Sequence, residues 1–258
     1  MLLSICIPTY NRPANLRVCV ESLMRALPGW QLEGNEILIS DNSDKLEVRE
    51  ANIKTALQYG IVYKYNGENI GAEKNYIECV KWAKGDYVWL LGDDDIIVGS
   101  LIQNLYQHLR DGVYGLMILP HHDMEEKRYA NYQEFIKLKS LSCPKYLVTH
   151  CTWISGLIFK RSLFNIGFAE SQSHLRYMIG YTLAVGLASA SEYEQVWTNG
   201  QIRLVDCQPN RPTFAVPITM PELLNIQADL LTFIAGITLC PGLDAYADKW
   251  RTGYSGDI

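Results

Sequence analysis

Apolar positions fall in short unbroken runs, and longer amphipathic stretches separate them. Leu2 to Ile7 is apolar almost throughout and is closed by Pro8, the pattern of a strand buried on both faces. From Asn11 to Leu27 the spacing changes. Leu16, Val20, Leu23 and Leu27 recur at helical intervals, and Pro13 falls where a first helical turn accepts proline. Glu36 to Ser40 is a second buried strand ending at Asp41, followed by a polar helix over Leu46 to Tyr59. Ile61 to Tyr65 is a third strand. Glu73 to Lys84 is amphipathic again, with Tyr76, Ile77 and Val80 on one side, and Gly85 reads as its stop. Asp86 to Leu91 is a fourth apolar run, leading directly into Gly92-Asp93-Asp94-Asp95.

Strands alternating with helices imply right-handed βαβ units and a mostly parallel sheet. Ligands of such sheets gather outside the carboxyl ends of the strands. The polar segments Thr9 to Arg12, Asp41 to Asp44 and Asp93 to Asp95 are therefore expected to meet at one edge. After residue 110 the pattern loosens. Leu116 to Leu119, Thr152 to Phe159 and Gln201 to Val205 read as strands, and Asp123 to Lys139 as a polar, variable segment. His174 to Ala190 and Leu223 to Leu239 read as apolar helices. There is no internal repeat or low-complexity linker, so one continuous α/β domain is expected, and 258 residues are enough for its core.

Composition narrows the class without naming a function. Hydrophobic residues make up 48% and charged residues 20%, the balance of an ordinary folded chain. The net charge is -5 and no basic stripe stands out, which argues against nucleic acid as a partner. Cys6, Cys19, Cys79, Cys143, Cys151, Cys207 and Cys240 are odd in number and form no CxxC. Reduced thiols in the cytoplasm are the simpler reading. The N-terminus reads as a strand and not as a signal peptide, and no run approaches the roughly 18 apolar residues of a spanning helix.

Three carboxylates in a row at the end of an apolar strand repel one another, and burial of an unpaired one costs several kcal/mol. A bound Mg²⁺ or Mn²⁺ would relieve that repulsion, since hard cations take carboxylate oxygen and share it with substrate phosphates. On its own the run reads equally well as a solvated turn capping the next helix.

Four segments together change that balance: Ile7-Pro8-Thr9-Tyr10-Asn11-Arg12, Ile39-Ser40-Asp41-Asn42-Ser43, Asn69-Ile70-Gly71 with Asn75, and Gly85-Asp86-Tyr87-Val88-Trp89-Leu90-Leu91-Gly92-Asp93-Asp94-Asp95. In order and spacing they resemble the inverting family 2 glycosyltransferases of the GT-A fold, with good cover over residues 1 to about 110. The resemblance implies a Rossmann-like, mostly parallel sheet flanked by helices. Residues 1–110 would be the nucleotide-sugar half and 111–258 the acceptor-binding half of one GT-A domain. It implies that Pro8, Thr9 and Tyr10 line the nucleobase pocket, Arg12 lies near the phosphates, and Asp41 accepts from the base or ribose. Asn69, Gly71 and Lys74 would flank the donor, with Gly71 allowing close backbone approach, while Asn75 ties its loop to the following helix. The aspartate run would be the DxD signature: Asp93 toward the ribose or sugar, Asp94 and Asp95 as candidate ligands of Mn²⁺ or Mg²⁺.

The stretch Trp153 to Arg161 resembles the family's acceptor-side strand, which makes Trp153 and Gly156 acceptor candidates. An inverting transfer needs a base for the acceptor proton. Where many family members carry a Glu-Asp pair, this sequence has none. His174 takes first place as the replacement because imidazole titrates near neutrality. Glu170 comes second and Asp123 third; His121 and His122 read as solvent-exposed.

The Gly92-Asp93-Asp94-Asp95 form, together with the replaced acidic pair, is similar to the subgroup that builds bacterial surface polysaccharides, abequosyltransferase-like enzymes among them. That implies O-antigen or capsule synthesis from a nucleoside-diphosphate sugar onto a glycan or undecaprenyl-diphosphate-linked acceptor, at the inner face of the cytoplasmic membrane. Leu223 to Leu239 is read first as a core helix and second as an interfacial one making peripheral membrane contact. The abrupt ending at Ile258 reads as truncation before a membrane-contacting tail. The alternatives are a nucleotidyltransferase, for which Pro8 to Arg12 lacks the glycines of a phosphate loop, and a non-catalytic sugar-nucleotide-binding module.

Overall fold

The computed structural model describes residues 1–29, 34–98, 102–119, 126–142, 147–190, 195–198, 203–206 and 220–252. The first part of the chain runs β1 (Leu3–Thr9), α1 (Pro13–Ala26), β2 (Glu36–Asp41), α2 (Leu46–Tyr59), β3 (Val62–Tyr65), α3 (Ala72–Trp82) and β4 (Tyr87–Leu90). It continues with β5 (Asp95–Val98), α4 (Ile102–Asp111), β6 (Tyr114–Ile118), β7 (Lys127–Tyr129), α5 (Tyr132–Ser142), α6 (Leu147–Thr152) and β8 (Leu157–Lys160). The last elements are α7 (Ile166–Ser171), α8 (Met178–Ser189), β9 (Gln195–Thr198), β10 (Arg203–Asp206), α9 (Met220–Thr238) and α10 (Pro241–Arg251).

An eight-stranded sheet in the order β3-β2-β1-β4-β8-β6-β9-β7 forms the centre, and β10 pairs with β5 in a small antiparallel ribbon. β1 runs parallel to β2 and β4, and β2 parallel to β3. β8 is antiparallel to both β4 and β6, so it joins the strands of the first half to those of the second.

β1 is buried along its whole length. Leu3, Ile5 and Ile7 enter one apolar cluster with α1, α2 and α4, while Cys6 faces the other with α3 and the later helices. That is the period-two division expected of a parallel strand covered on both sides. α1 buries Leu16, Cys19, Val20 and Leu23, spaced at three and four residues, and its Pro13 occupies the first turn. Each such side chain taken fully out of water contributes about 1.5–3 kcal/mol. α2 ends on Gly60, whose left-handed φ of 66° lets its N–H close on Ala56 and Leu57 carbonyls.

The crossovers α1 and α2 carry the chain outward to β3 on one face. α3 then returns it to the far side of β1 on the opposite face, as right-handed crossovers in reversed directions require.

Several sequence expectations are corrected. Asp123 to Lys139 is not featureless: from residue 126 on it holds β7 and most of α5, with Tyr132, Phe135 and Ile136 buried at helical spacing. Thr152 to Phe159 is not one strand, because α6 ends at Thr152, a 3-10 turn spans Ile154–Gly156, and only Leu157–Lys160 pairs. Leu147, Val148 and Cys151 are buried on α6, so packing beneath the sheet decides the state of a β-branched segment. The helix expected from His174 begins at Met178. Gly85 is not the stop of α3, which ends at Trp82 with its cap at Ala83. Its need for a bare Cα comes from β1: an added Cβ would lie 2.6 Å from Ser4 N and 2.8 Å from Leu3 C.

α9 lays Ala228, Leu230, Leu231, Ile234 and Ala235 into the core and packs against α8 and α10. The core reading of Leu223 to Leu239 therefore accounts for its apolar stripe. No helix of the described residues is long and apolar enough to cross a membrane. The cysteines among the described residues, Cys6, Cys19, Cys79, Cys151 and Cys240, are buried and unbridged.

Candidate active site

β1 lies between β2 and β4, where the direction of the crossovers reverses, and such a point opens a crevice outside the carboxyl ends of the strands. The loops after β1, β2 and β4 meet there. Asn11 turns the chain with a left-handed φ of 53°, which asparagine tolerates better than most residues. Its N–H donates to Ser43 Oγ at 2.9 Å and its side-chain amide to Asp44 Oδ1 at 2.7 Å. The half-buried Tyr10 donates its hydroxyl to Asp44 Oδ2 at 3.2 Å. These donations hold the Asp44 carboxyl below the usual carboxylate range, Asn11 contributing most.

On the other flank Thr9 Oγ1 donates to Asp93 Oδ2 at 2.6 Å. Arg12 Nη2 lies 2.7 Å from Asp93 Oδ1, and its Nη1 donates to Asp94 Oδ2 at 2.7 Å. Asp93, Asp94 and Asp95 are 0%, 4% and 5% exposed, whereas the Arg12 side chain keeps 42%. Burial alone would pull the guanidinium pKa down, but Asp93 and then Asp94 raise it. A buried triplet of carboxylates thus stands beside a guanidinium that is half in water. That is the electrostatic frame of a cation or phosphate site, not of a solvated turn.

Gly92 shapes the aspartate turn. Its N–H donates to Ser155 Oγ at 2.7 Å and its carbonyl accepts from Asp95 N at 3.1 Å. A Cβ there would stand 3.0 Å from both Asp94 Oδ1 and Asp95 Oδ2. Each of these two residues therefore brings one oxygen to the same side of the turn. Mg²⁺ is ordinarily held by one or two carboxylates with phosphate oxygens completing its shell, and Asp94 and Asp95 fit that demand. Asp93 differs from Asp94 in that both its oxygens are engaged, Oδ2 by Thr9 and Oδ1 by Arg12. Among the described residues no group of three or more His, Cys, Asp or Glu side chains could hold a metal by itself.

Asp41, expected to face a donor, is fully buried. Its Oδ1 accepts from Ser43 N at 2.7 Å, and its Oδ2 from Asn52 Nδ2 and Tyr63 OH, both at 2.8 Å. Burial, then the bond to Asp41, pushes the Tyr63 phenol up. Asp41 organises the loop from beneath, and the exposed acid of that loop is Asp44. Pro8 is likewise buried within β1, in register with Ser40.

Asn69 Oδ1 accepts from Gly71 N at 3.0 Å in an Asx turn. Gly71 has φ 84°, and a Cβ there meets nothing within 4 Å, so conformation and not close approach requires the glycine. Asn75 ties α3 to β2 through Ser40 O at 3.2 Å, and Asn66 Nδ2 reaches Asn75 Oδ1 at 3.0 Å and Asn42 Oδ1 at 2.7 Å. Lys74 is exposed on the first turn of α3.

Trp153, expected on the acceptor side, precedes the 3-10 turn and its ring packs where a Cβ on Gly156 would come within 2.6 Å. Ser155, between them, fixes the aspartate turn through Gly92 and accepts from Trp89 Nε1 at 2.8 Å through its carbonyl. His174 is exposed in the turn after α7. Glu170 pairs with Lys81 at 2.7 Å, and Lys81 lies near the C-terminal end of α3, away from the carboxylate edge. Asp123 lies outside the described residues, as do His121 and His122.

Glu73, on the first turn of α3, escaped the sequence reading. Its Oε1 accepts from Tyr177 N at 3.2 Å, and its Oε2 is out of contact with solvent and meets no hydrogen-bond donor among the described residues. Burial pushes its carboxyl up to about 7, against the pull of the Tyr177 N–H and Arg176. The start of α3 lies at the same edge as the loop after β2, since Asn42 Nδ2 donates to the Gly71 carbonyl at 3.1 Å. Only an acidic residue beside the Asn-Ile-Gly segment hinted at Glu73.

A family model described as "Glycosyl transferase family 2" matches residues 4–167. The abequosyltransferase RfbV of Salmonella typhimurium is 34% identical over 111 residues, covering 42% of this chain and 33% of the relative. Glycosyltransferase GlyG of Streptococcus pneumoniae is 24% identical over 136 residues, 52% of this chain and 40% of the relative. The chain thus aligns with only a part of the length of the curated relatives it matches. Among solved structures, S. aureus TarS superposes with TM-score 0.63 at 12% identity over 97% of this chain and 69% of that one. The Pyrobaculum calidifontis mannosyltransferase PcManGT, solved with GDP-Man and Mn²⁺, gives 0.63 at 13% identity over 98% and 70%. The α/β architecture with its open eight-stranded sheet is that of these GT-A neighbours, and with the family model covering residues 4–167 the chain belongs to glycosyl transferase family 2.

Proposed function

We propose that the chain transfers a sugar from a nucleoside-diphosphate donor to an acceptor hydroxyl with inversion, the donor resting in the crevice between β1 and β4. The observation that carries this reading is the buried aspartate triplet clasped by Thr9 and Arg12 at that crevice. The Tyr10–Asp44 rim takes the nucleobase side, and Arg12, half exposed, is released toward diphosphate as the donor enters. Asp94 and Asp95 would hold Mn²⁺ or Mg²⁺, which when bound supplies Lewis-acid stabilisation of the leaving diphosphate. Support comes from TarS solved with UDP and with UDP-GlcNAc, and from PcManGT with GDP-Man and Mn²⁺.

In this reading residues 1–110 bind the donor and 111–258 the acceptor, with Trp153 and Gly156 on the acceptor side. The likeness to an abequosyltransferase favours a glycan or lipid-linked oligosaccharide as acceptor, in bacterial surface-polysaccharide synthesis. A lipid-linked acceptor would bring the chain to the cytoplasmic membrane face.

The test is thermal unfolding with UDP or GDP and Mn²⁺. At a ligand concentration of about 100 Kd the fold gains about 2.7 kcal/mol, a rise of several degrees in Tm. Asp94→Asn and Asp95→Asn are expected to remove the Mn²⁺-dependent part of that rise. Absence of any nucleotide-dependent shift in the unaltered protein overturns the donor-site reading.

A further inference from the structure

We infer that Glu73 is the catalytic base, taking the proton of the acceptor hydroxyl through Oε2. The inference rests on the donor-site reading above and names the residue for the place where the sequence lacks an acidic pair.

In many family 2 glycosyltransferases that pair stands at the start of a helix after the acceptor-side strand. Here the corresponding helix is α8, and the residue before it, Tyr177, has φ 65° and carries no carboxylate. The Glu73 carboxyl reaches the start of α8 from α3, and the Tyr177 N–H holds its Oε1 at 3.2 Å. Oε1 is thereby oriented while Oε2 is left with neither water nor a protein donor among the described residues. A carboxylate oxygen so placed takes a hydroxyl donor readily, since an unmet buried acceptor costs about 1–3 kcal/mol.

The surroundings suit a base at neutral pH. Facing the carboxyl are Tyr76 on α3, and Arg176 and Tyr177 ahead of α8. Beyond Tyr76 come Arg12, Asp93 and Asp94 from the loops after β1 and β4. Glu170 on α7 is taken up by Lys81, about 12 Å from Glu73 along α3 at 1.5 Å per residue, and the turn residue His174 is exposed. Desolvation brings Glu73 up to about 7, where a carboxyl both accepts and releases a proton efficiently.

In the step, an acceptor oxygen lone pair forms the bond to the anomeric carbon as the anomeric C–O bond to phosphate breaks. The bonding pair leaves with the diphosphate, and the acceptor proton passes to Oε2.

The test compares Glu73→Gln, Glu73→Asp and His174→Ala for release of nucleotide from UDP-glucose, UDP-GlcNAc and GDP-mannose with water as acceptor. Binding of UDP or GDP with Mn²⁺ is followed in parallel by thermal shift. Glu73→Gln is expected to keep the binding shift and lose turnover by about 10²-fold or more, with the acid limb near pH 7 abolished. Glu73→Asp should recover part of the loss, and His174→Ala should leave the limb in place. Turnover in Glu73→Gln within a few-fold of the parent, or equal loss in the Gln and Asp variants, overturns the assignment. A carboxyl titration, read as the infrared difference between the parent and Glu73→Gln, decides the assignment even if none of these donors turns over. A Glu73 that ionises below pH 5 overturns the base, whereas failure of the donor reading shows as absence of the binding shift.

Discussion

Replacing Glu73 by glutamine should remove a pH dependence of stability that the parent carries through this one carboxyl. The carboxyl stands at about 7 in the fold against an ordinary value of 4.5, because burial outweighs the Tyr177 N–H and Arg176. A folded pKa raised above the unfolded one favours the protonated acid. The stability linked to it is therefore full below pH 4.5 and lost as pH rises through 7. Each unit is worth about 1.36 kcal/mol, so the loss is at most about 3.4 kcal/mol, and nearer about 2 once the partial exposure of the side chain is allowed for. Glutamine never ionises and escapes that loss. It also leaves an amide N–H₂ where Oε2 sat, at a cost of about 1–3 kcal/mol that does not change with pH. Denaturant unfolding of parent and variant at pH 4 and at pH 8.5 separates the two effects. The variant should gain about 2 kcal/mol on the parent between those values, whichever protein is the more stable at either one. A constant difference across the range would falsify the burial argument, and a variant that loses ground as pH rises would reverse its sign.

Two further substitutions probe the frame that holds the site. Gly85→Ala is expected to cost at least about 3 kcal/mol in chemical denaturation, because its methyl would meet Ser4 N at 2.6 Å and displace Ser4 Oγ from the Gly85 N–H; a loss under about 1 kcal/mol means β1 gives way easily. Ser155→Ala should cost about 1–3 kcal/mol by orphaning the buried Gly92 N–H, and it should shrink the Mn²⁺-dependent thermal shift with UDP or GDP; a full-sized shift means the aspartate turn holds its shape unaided.

The donor half was legible because its signals are local. Apolar runs mark β1, β2 and β4, helical spacing marks α1 and α3, and turn residues between them put Thr9, Asp44 and Asp93 at strand ends, where the fold brings them together. What the sequence could not show is which polar residue faces outward. Asp41 and Asp44 stand three residues apart in one loop, yet Asn52 and Tyr63, from elements further along, draw the first inward and leave the second to Tyr10 and Asn11. The second half was less legible for a related reason. Its segments are short, and the identity of α6 is decided by what Leu147, Val148 and Cys151 pack against, not by their intrinsic preference. Glu73 was hidden twice over, since an acid at a helix start has a sufficient local explanation in the helix dipole, and Tyr177 is more than a hundred positions away.

The proposed division of roles near residue 110 is therefore not a division of structure. β8 continues the sheet begun by β1 to β4, so the two halves share a core. The same joint reaches into the site from both directions. Ser155, from the acceptor-side segment, supports the turn that carries Asp94 and Asp95, while Tyr177, ahead of α8, supports a carboxylate that the donor half supplies. Each half thus fixes a group that belongs to the other. A shift of β8 or α8 against α3 would disturb the Asp94–Asp95 turn and the Glu73 carboxyl together.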